Sequence, residues 1–340
     1  MQRAALKQSL FSDDKFLPAH QLVASLLDIA ISRGANKQRL MRGTGIFYED
    51  IVTGQGKISP LQFFKFVANV QAQTNGKDNA FLLGRRLFPG NYGHVSNALM
   101  HSRNLSDALR LAQRFQMILC PFVDIRRYQD QHFCHFIVRD ALGCGEHWPF
   151  IIETYSTALI AASKLLAGKR IPFYVDFPFA RPRHIQEYEE NIGLRLRFSQ
   201  PFWRIRVEKQ WLNQPFLQPS HSLKQHAMQQ ALQDLPDGVS FLKQIRQLIQ
   251  CLPASKLDTI AHRLNMSPAT FKRKLKSHGM RFQQLQDELG TEQALYLLQV
   301  QGLNNEDSAL AMQFSDVTNF RRAVKRWTGL TPSELRLGAE

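Results

Sequence analysis

From Val239 to the C-terminus, apolar residues recur at the three- and four-residue spacing of amphipathic helices, and no alternating strand pattern is present. Two stretches, 255–278 and 306–329, each predict a short helix, a tight turn and a second helix. The second helix begins at a good N-cap residue, Ser267 in the first stretch and Asp316 in the second. The predicted apolar anchors of the two leading helices are Leu257, Ile260, Ala261 and Leu264, and then Ala309, Leu310 and Met312. The pattern therefore predicts two helix-turn-helix units in an all-α C-terminal domain.

The segment between the two units, 282–301, predicts one helix of about 18–20 residues, which is about 27–30 Å long. The caps Ser267 and Asp316, about 49 positions apart, mark the starts of the two recognition helices. Successive major grooves on one face of DNA are roughly 34 Å apart. Two recognition helices joined by such a linker helix are therefore expected to read two successive grooves from a single chain.

The first two thirds of the chain switch repeatedly between the helical period and the strand period. Helices are predicted at 20–33, 104–119 and 150–167, and another is predicted to open at Ser59-Pro60, with serine as its N-cap. Strands are predicted at 123–129, 132–138, 172–177, 194–198 and 202–208. This mixture predicts an α+β N-terminal domain. A glutamine-rich stretch with several prolines, 213–238, is the predicted connection between this domain, 1–212, and the helical domain, 239–338.

The composition favours a polyanionic partner but does not locate it. The chain has 43 lysines and arginines against 28 aspartates and glutamates, a net charge of +15, which suits binding to nucleic acid. Residues 237–340 hold only 14 basic against 10 acidic residues. The candidate interface must therefore be found from local patterns.

The sequence also predicts a cytoplasmic protein without a membrane contact. The four cysteines form no CxxC pair, which is typical of free thiols in a reducing compartment. The first sixteen residues lack the apolar segment of a signal peptide. The most apolar helix, 150–167, carries Glu153 and Lys164 and is predicted to be buried in protein.

Two C-terminal segments, SPATFKRKLKSHG (267–279) and DVTNFRRAVKRWTGLTPSELR (316–336), resemble the AraC/XylS-type transcription regulators, and the resemblance covers about residues 237–338. It implies that double-stranded promoter or operator DNA is bound by Ala269, Lys272, Arg273, Lys276, Val317, Thr318, Arg321, Arg322 and Lys325. Arginine can make a bidentate contact with guanine, and the methyl groups of valine and threonine can contact thymine. Within this set Lys276 and Lys325, together with Lys274 and Arg326 outside it, are expected at phosphates or in solvent. The alternative for each residue is a solvated helix face.

Three positions depart from the pattern of this family. Gln313 lies where a turn glycine is usual, so a left-handed backbone there would be strained. Gly290 replaces a common arginine in the linker helix and is expected to soften that helix by roughly 1 kcal/mol. Val324 replaces a larger phenylalanine. None of the three removes an expected DNA contact.

Two N-terminal segments, GNYGHVSNALMHSRNLSDALRLAQRF (90–115) and YVDFPFARPRHIQEYEENIGLRLRF (174–198), resemble the arabinose-binding-like effector domain of the same family. The resemblance implies a small-molecule effector and a homodimer, and it suggests activation through contact with RNA polymerase. A surplus of cationic side chains favours an anionic effector such as a small carboxylate. These side chains are Arg85, Arg86, Arg103, Arg126 and Arg127.

Other functions stay open at this point. Soft ligands lie close together at His132, Cys134, His135, Cys144 and His147, so the N-terminal domain could be a metal or redox sensor. Strand alternation, however, places His135 opposite His132 and Cys134. The chain shows no nucleophile elbow or other catalytic setting, which leaves an enzyme fused to a DNA-binding domain as a weaker alternative. A nucleoid-binding protein is another alternative. The favoured hypothesis is an effector-responsive, sequence-specific DNA-binding regulator with no catalytic residues and no cofactor.

Overall fold

The computed structural model of the protein describes residues 8–74, 76–253 and 255–337. The first seven residues of the stretch inspected for a signal peptide lie outside the described residues, as does residue 338 at the end of the predicted helical domain. The strands of the described part are β1 (Ser9–Leu10), β2 (Leu17–Pro18), β3 (Lys57–Ile58), β4 (Val123–Gln129), β5 (Phe133–Asp140), β6 (Phe173–Asp176), β7 (Leu196–Arg197), β8 (Trp203–Glu208) and β9 (Val239–Ser240).

The helices of the same residues fall into an N-terminal and a C-terminal group. The N-terminal helices are α1 (Ala19–Ser32), α2 (Lys37–Met41), α3 (Tyr48–Thr53), α4 (Pro60–Gln73), α5 (Asn79–Leu87), α6 (Gly93–Met100), α7 (Leu105–Arg114), α8 (Gln116–Leu119), α9 (Trp148–Ala167), α10 (Ile185–Asn191) and α11 (His221–Ala231). The C-terminal helices are α12 (Phe241–Cys251), α13 (Leu257–Arg263), α14 (Pro268–Ser277), α15 (Phe282–Leu295), α16 (Asn305–Ala311), α17 (Val317–Thr328) and α18 (Pro332–Leu337). Short 3-10 turns occupy Gly145–His147 and Lys209–Trp211, and a π-helical segment, Tyr296–Val300, extends α15.

The largest sheet in the described residues joins five strands in the order β4-β5-β8-β6-β7, with only β6 and β7 parallel. Its strands lie where the sequence predicted them. Successive side chains point to opposite faces, so the sheet has one apolar and one charged face. The apolar face carries Val123, Ile125, Phe136, Val138, Trp203 and Ile205, and the charged face carries Asp124, Arg126, Arg139, Asp176, Arg204 and Arg206.

Helices of the N-terminal domain bury the apolar face in a core that extends from Leu10 to Ala231. In this core α9 packs against α5. A Cβ at Gly84 of α5 would lie 2.4 Å from the carbonyl oxygen of Thr154, so only glycine permits this close approach. The helical stretch Gly145–Ala167 is long and apolar enough to cross a membrane, but 67% of its most apolar window is buried within the protein. That burial is the property of a core helix.

Capping side chains fix where several predicted helices begin. The Ser59 hydroxyl accepts the backbone N–H of Gln62, and the Gln62 side chain accepts the N–H of Ser59, which forms a capping box at α4. The Asn104 side chain accepts the N–H of Asp107 at α7. These caps satisfy N–H groups that a helix leaves free at its start, so α4 and α7 begin where the sequence placed them.

The C-terminal helices form two smaller cores. The first, which includes Phe241, Ile260, Phe271 and Leu285, joins α12 to α15. The second joins the end of α15 to α16, α17 and α18 around Phe320. The two cores confirm the fold class, an α+β N-terminal domain followed by helices that form two helix-turn-helix units.

Two details of the sequence analysis were wrong. Val239 and Ser240 form strand β9, which pairs in parallel with β1 near the N-terminus, so the C-terminal region is not purely helical. This pairing joins positions far apart in the chain, and two residues are too few to show an alternating pattern. Leu310 is not an apolar anchor of α16, because 77% of its surface is exposed, whereas Ala309 beside it is buried.

Candidate nucleic-acid interface

The first helix-turn-helix unit consists of α13 and α14. Asn265 turns the chain between them with a positive φ of 55°, a conformation that asparagine tolerates better than most residues. The Ser267 hydroxyl then accepts the backbone N–H of Thr270 at 3.2 Å and caps α14. Phe271 and Leu275 of α14 are buried in the core. The predicted DNA-binding residues Ala269, Lys272, Arg273 and Lys276 are all exposed.

The second unit repeats this arrangement with α16 and α17. Gln313 makes the turn with a φ of 59°, so the left-handed backbone anticipated from the sequence is present on a residue with a Cβ. The Asp316 carboxylate accepts the N–H of Asn319 at 2.7 Å and caps α17, and Phe320 is buried below it. Of the predicted DNA-binding residues, Thr318, Arg321, Arg322 and Lys325 are exposed, whereas Val317 is half-buried and packs against the second small core.

The cationic side chains of α14 and α17 differ in whether they have partners. Lys274 pairs with Asp13 at 3.5 Å and lies 4.0 Å from the ring centre of Phe11, and Arg326 pairs with Asp287 at 3.4 Å. No ion pair within the described residues engages the exposed cations of the predicted set, which are Lys272, Arg273, Lys276, Arg321, Arg322 and Lys325. The charge of these six side chains is therefore available to phosphates and bases.

A glycine in the linker helix sets the position of the second unit. Trp327 of α17 donates its indole N–H to Asp287 of α15 at 2.9 Å. A Cβ at Gly290 would lie 2.7 Å from the Trp327 ring, which is closer than packed carbon atoms approach. Helix α15 runs unbroken through this position. Besides its expected effect on helix propensity, Gly290 thus has a packing role that the sequence analysis missed.

The linker helix has the length that the sequence predicted. Helix α15 has 14 residues and the π-helical segment that extends it has 5. At roughly 1.5 Å per residue the two together span about 28 Å. One continuous helix therefore lies between α14 of the first unit and α16 of the second.

The linker helix also carries a buried carboxylate that contacts the charged face of the sheet. Glu292 of α15 is only 2% exposed. It pairs with Arg139 of β5 and, at 3.3 Å, with Arg126 of β4, and it accepts a hydrogen bond from the Tyr128 hydroxyl. Arg139 also pairs with Asp124 at 2.7 Å. We call Glu292, Arg126, Tyr128, Arg139 and Asp124 the interdomain latch.

A second buried ion pair lies beside the latch. Arg246 of α12 is 1% exposed; it pairs with Glu288 of α15 at 2.8 Å and donates to the backbone carbonyl of Asp140 at 2.7 Å. Burial alone would lower the pKa of Arg246, but the negative charges of Glu288 and Asp124 outweigh it and raise that pKa. Arg246 therefore stays charged and ties α12 and α15 to the end of β5.

The partners in these ion pairs were not predicted from the sequence. One signal was present, because Glu288 and Glu292 follow Leu285 by three and seven positions and so lie on the apolar face of their helix. Carboxylates on such a face need partners, since a buried unpaired charge is costly. Their arginine partners could not be named, because the sequence does not show which strand faces the linker helix.

The five His and Cys residues considered as a metal or redox site do not form one cluster in the described part of the chain. Within the described residues, no group of three or more His, Cys, Asp or Glu side chains could hold a metal ion. His132 is exposed, the Cys134 thiol accepts from Arg127 at 3.2 Å, His135 pairs with Asp130 at 2.6 Å, Cys144 donates to Asp140 at 3.2 Å and His147 stacks on Phe64 at 5.1 Å. The five side chains are thus engaged in separate contacts.

Two cavities border opposite faces of the central sheet. An apolar cavity of about 200 Å³ lies between the apolar face and helices α7 and α9. A polar cleft of about 470 Å³ lies between the charged face and α12, and Arg126 and Arg127 border it. Arg85, Arg86 and Arg103, also considered for an anionic effector, are exposed elsewhere.

Known proteins are similar to both parts of the chain. Residues 34–216, more than half of the chain, match the family model described as the arabinose-binding domain of AraC transcription regulators, and residues 260–338 match a helix-turn-helix domain. The ornithine utilization regulator of Pseudomonas aeruginosa is 26% identical over 339 residues, which cover 97% of this chain and 99% of that protein. The regulator VirS of Mycobacterium tuberculosis is 26% identical over 200 residues, 55% of this chain and 58% of that protein.

Among solved structures, the transcriptional regulator CdpR from Pseudomonas aeruginosa aligns with 77% of this chain and 88% of its own, at 18% identity and a TM-score of 0.36. The domain matches cover the α+β domain and most of the helices that follow it. This chain belongs to the AraC family of transcription regulators, with an N-terminal domain of the arabinose-binding type joined to a helix-turn-helix DNA-binding region.

Proposed function

We propose that the protein binds a specific operator sequence with α14 and α17 in two successive major grooves, and that a small-molecule effector controls this binding. The observation that carries the proposal is the set of six exposed cations without ion-pair partners on these two helices. Their helices are joined by a linker of about 28 Å, close to the roughly 34 Å between successive grooves. The two helices present different side chains, which favours the reading of a specific sequence over general binding to duplexes.

The direct test removes one cation that is proposed to contact a base. Operator sequences are first selected from random duplex DNA with the full chain. We expect Arg322→Ala to lose at least tenfold in operator affinity and to relax the preference at one base pair, because a bidentate contact contributes about 1–3 kcal/mol. The matched control is Arg326→Ala, which removes the same charge from the same helix, but from a side chain that already pairs with Asp287.

Two results would contradict the proposal. If Arg322→Ala kept both operator affinity and sequence preference with its fold intact by circular dichroism, the assignment of this residue would be wrong. If the wild-type chain bound every duplex equally, with affinity set by salt alone, the whole proposal would be wrong.

We assign effector binding and dimerisation to residues 1–212, the connection to 213–238 and DNA binding to 239–338. We also propose that the protein is a cytoplasmic homodimer without catalytic activity and that it contacts RNA polymerase at its promoters. Family membership supports these assignments. Two linked readers on repeated half-sites would gain affinity through effective concentration. Light scattering of the full chain with and without operator DNA tests the dimer.

The interdomain latch supports a route from effector to DNA. An effector shifts an equilibrium only if it binds one arrangement better than another. The linker helix contacts the charged face of the sheet through Glu292, and the other face of the same sheet borders the apolar cavity. A ligand that moves these strands would therefore change how the latch holds the linker helix between the two recognition helices.

The polar cleft is a second candidate site, and it would suit the anionic effector that the sequence predicted. The polar cleft is bordered by Arg126, Arg127, Arg139, Lys243 and Arg246. Several of these cations already have carboxylate partners, such as Glu292 for Arg126 and Glu288 for Arg246. Calorimetric titration with succinate tests this site, and Lys243→Ala should weaken any binding found.

A further inference from the structure

The apolar cavity has an unusual lining for a space of its size. The cavity measures about 200 Å³, somewhat more than an engineered apolar cavity of about 150 Å³ that stays dry and binds benzene. Not one of the 22 side chains that line it in the described part of the chain is charged. Leu105 and Val138 are typical of its wall, at 2% and 3% exposure. A void of this size inside a core would cost stability unless something filled it.

The lining excludes one class of ligand. A carboxylate or ammonium group taken from water into such a space would lose its hydration without gaining an opposite charge. The nearby cations of the sheet do not compensate for this: Arg126 and Arg139 lie on its other face and pair with Glu292, and Arg127 donates to Cys134 and does not line the cavity. The ligand of this cavity must therefore be uncharged.

Two side chains of the wall retain unused hydrogen-bond donors. The Tyr155 hydroxyl on α9 and the Trp203 indole N–H on β8 are buried and have no hydrogen-bond partner among the described residues. Both residues are more than nine-tenths buried, at 8% and 2% exposure. Buried donors normally have partners, so both groups are suited to an acceptor carried by a bound molecule.

We propose that this cavity is the effector site and that its ligand is an uncharged, largely hydrocarbon molecule with a hydroxyl, ether or carbonyl oxygen that accepts from Tyr155 or Trp203. This inference rests on the proposed effector-responsive function and names the ligand class. The hydrocarbon part fills the space between α7, α9 and the apolar face of the sheet. The position of the wall on β4 and β5 makes the ligand a neighbour of the strands that carry the latch.

The test uses three probes of equal length that differ in charge: 8-bromo-1-octanol, 8-bromooctanoate and 8-bromooctylammonium. Bromine quenches tryptophan fluorescence on contact, and Trp203 is the cavity-lining tryptophan of the described residues. We expect the alcohol to quench the full chain saturably, with a Kd at least tenfold lower than those of the two charged probes. Within the bromoalkanol series each added methylene should lower the Kd about fourfold until the cavity is full.

Cavity-filling variants test whether the alcohol binds in this cavity. Ala162→Phe on α9 and Ala112→Phe on α7 fill the space from two sides, and each should weaken alcohol binding more than tenfold. Ala161→Phe is the matched control, because it makes the same change on α9 at a residue outside the cavity lining, and it should bind normally. If either filled variant does not fold, the other one decides the outcome.

The results separate this inference from the proposed function. Equal binding of all three probes, or unchanged binding in a folded cavity-filled variant, would overturn the ligand class or the site, whether or not the chain recognises an operator. Saturable binding of the alcohol with no change in operator affinity would overturn the effector role of the cavity. A chain that binds the alcohol but no specific operator would leave the ligand site supported and overturn the proposed function.

Discussion

The two helix-turn-helix units have the same layout, but they are held in place differently. The first unit is tied to the N-terminal domain directly. The backbone N–H of Ser12 donates to His278, directly after α14, at 3.2 Å. Helix α12, which shares the core of this unit, is held by the Phe11 ring at 4.9 Å from that of Phe241 and by Arg246 at the end of β5. The second unit is tied to the linker helix, where Trp327 lies against Gly290, and its small core meets the N-terminal domain at the side chain of Phe202.

This difference shows which part of the DNA-binding region follows the N-terminal domain. We expect a movement of the sheet to reach the first unit through buried ion pairs and aromatic contacts. We expect it to reach the second unit through the linker helix, where Trp327 donates a hydrogen bond to Asp287, and through the contact of Phe202 with the second small core. The relative placement of the two recognition helices therefore depends on the contacts along α15.

The largest expected effect is on the attachment of the first unit. Arg246→Ala would leave Glu288 without its ion-pair partner and the Asp140 carbonyl without its donor, whereas Asp124 keeps Arg139. Removal of one member of a buried ion pair costs about 3–5 kcal/mol, and we expect the lower end of that range because Glu288 is 29% exposed. Urea unfolding of the full chain should show a loss of this size. The control is Arg263→Ala, an exposed position on α13, with an expected change within about 0.5 kcal/mol. Similar losses in both variants would show that Arg246 does not anchor the unit.

The second largest effect concerns the second unit. Gly290→Ala should destabilise it by roughly 1–3 kcal/mol, because the added methyl group displaces Trp327. Helix propensity alone predicts the opposite, a gain of about 1 kcal/mol. Gln293→Ala, at an exposed position on the same helix, is the matched control. A gain in stability on Gly290→Ala would contradict the packing role, and Trp327 fluorescence reports the displacement directly.

Acid should loosen the first unit before the second. Burial lowers the pKa of His278 below 6.5, against the opposing charges of Asp140 and Asp13. Because the pKa is lower in the folded chain, the unfolded chain takes up the proton first, and stability that is present above pH 6.5 is lost as the pH falls below it. The neutral ring satisfies both nitrogens, since Nδ1–H donates to the Lys274 carbonyl and Nε2 accepts from Ser12.

The second unit offers an internal control for this effect, since residues 305–337 contain no histidine. Hydrogen exchange at pH 7 and pH 5, corrected for intrinsic rates, should show α14 losing protection relative to α17. The His278→Gln variant should remove this difference. Equal loss of protection in the two helices of the wild-type chain would contradict the role of His278.

The smallest expected change in stability concerns the turns of the two units. Gln313→Gly should stabilise the protein by about 0.5–1 kcal/mol, because glycine adopts the left-handed backbone without the cost that a Cβ imposes. Asn265→Gly should change stability much less, because asparagine already tolerates this conformation. Thermal unfolding of the two variants measures the difference. Equal shifts would show that the turn of the second unit stores no strain.

The sequence was most informative where local chemistry decides the structure. The caps Ser267 and Asp316 marked the starts of both recognition helices, because a side-chain acceptor at the first turn acts over three residues. Alternating apolar residues located the strands of the central sheet, because successive side chains of a strand point to opposite faces. The DNA contacts assigned to α14 and α17 remain predictions, although the exposure of eight of the nine side chains is consistent with them.

Contacts between distant segments were not predictable. The latch requires knowledge that β4 and β5 face the linker helix, and no local pattern contains that information. The pairing of β1 with β9 joins residues 9–10 to residues 239–240. The apolar cavity was missed because its 22 lining residues are ordinary core residues in sequence. Only their arrangement in space leaves a gap between them.

In strand β4, a residue that lines the cavity and a residue that holds the linker helix are neighbours in the chain. Ile125 borders the cavity, and the next residue, Arg126, holds Glu292 on the linker helix. A displacement of Ile125 by a bound molecule would therefore act on the linker helix through the adjacent residue, without a long chain of contacts through the protein. It also follows that the ligand preference can be redesigned at Val123 and Ile125 while Asp124, Arg126 and Tyr128 keep the output intact.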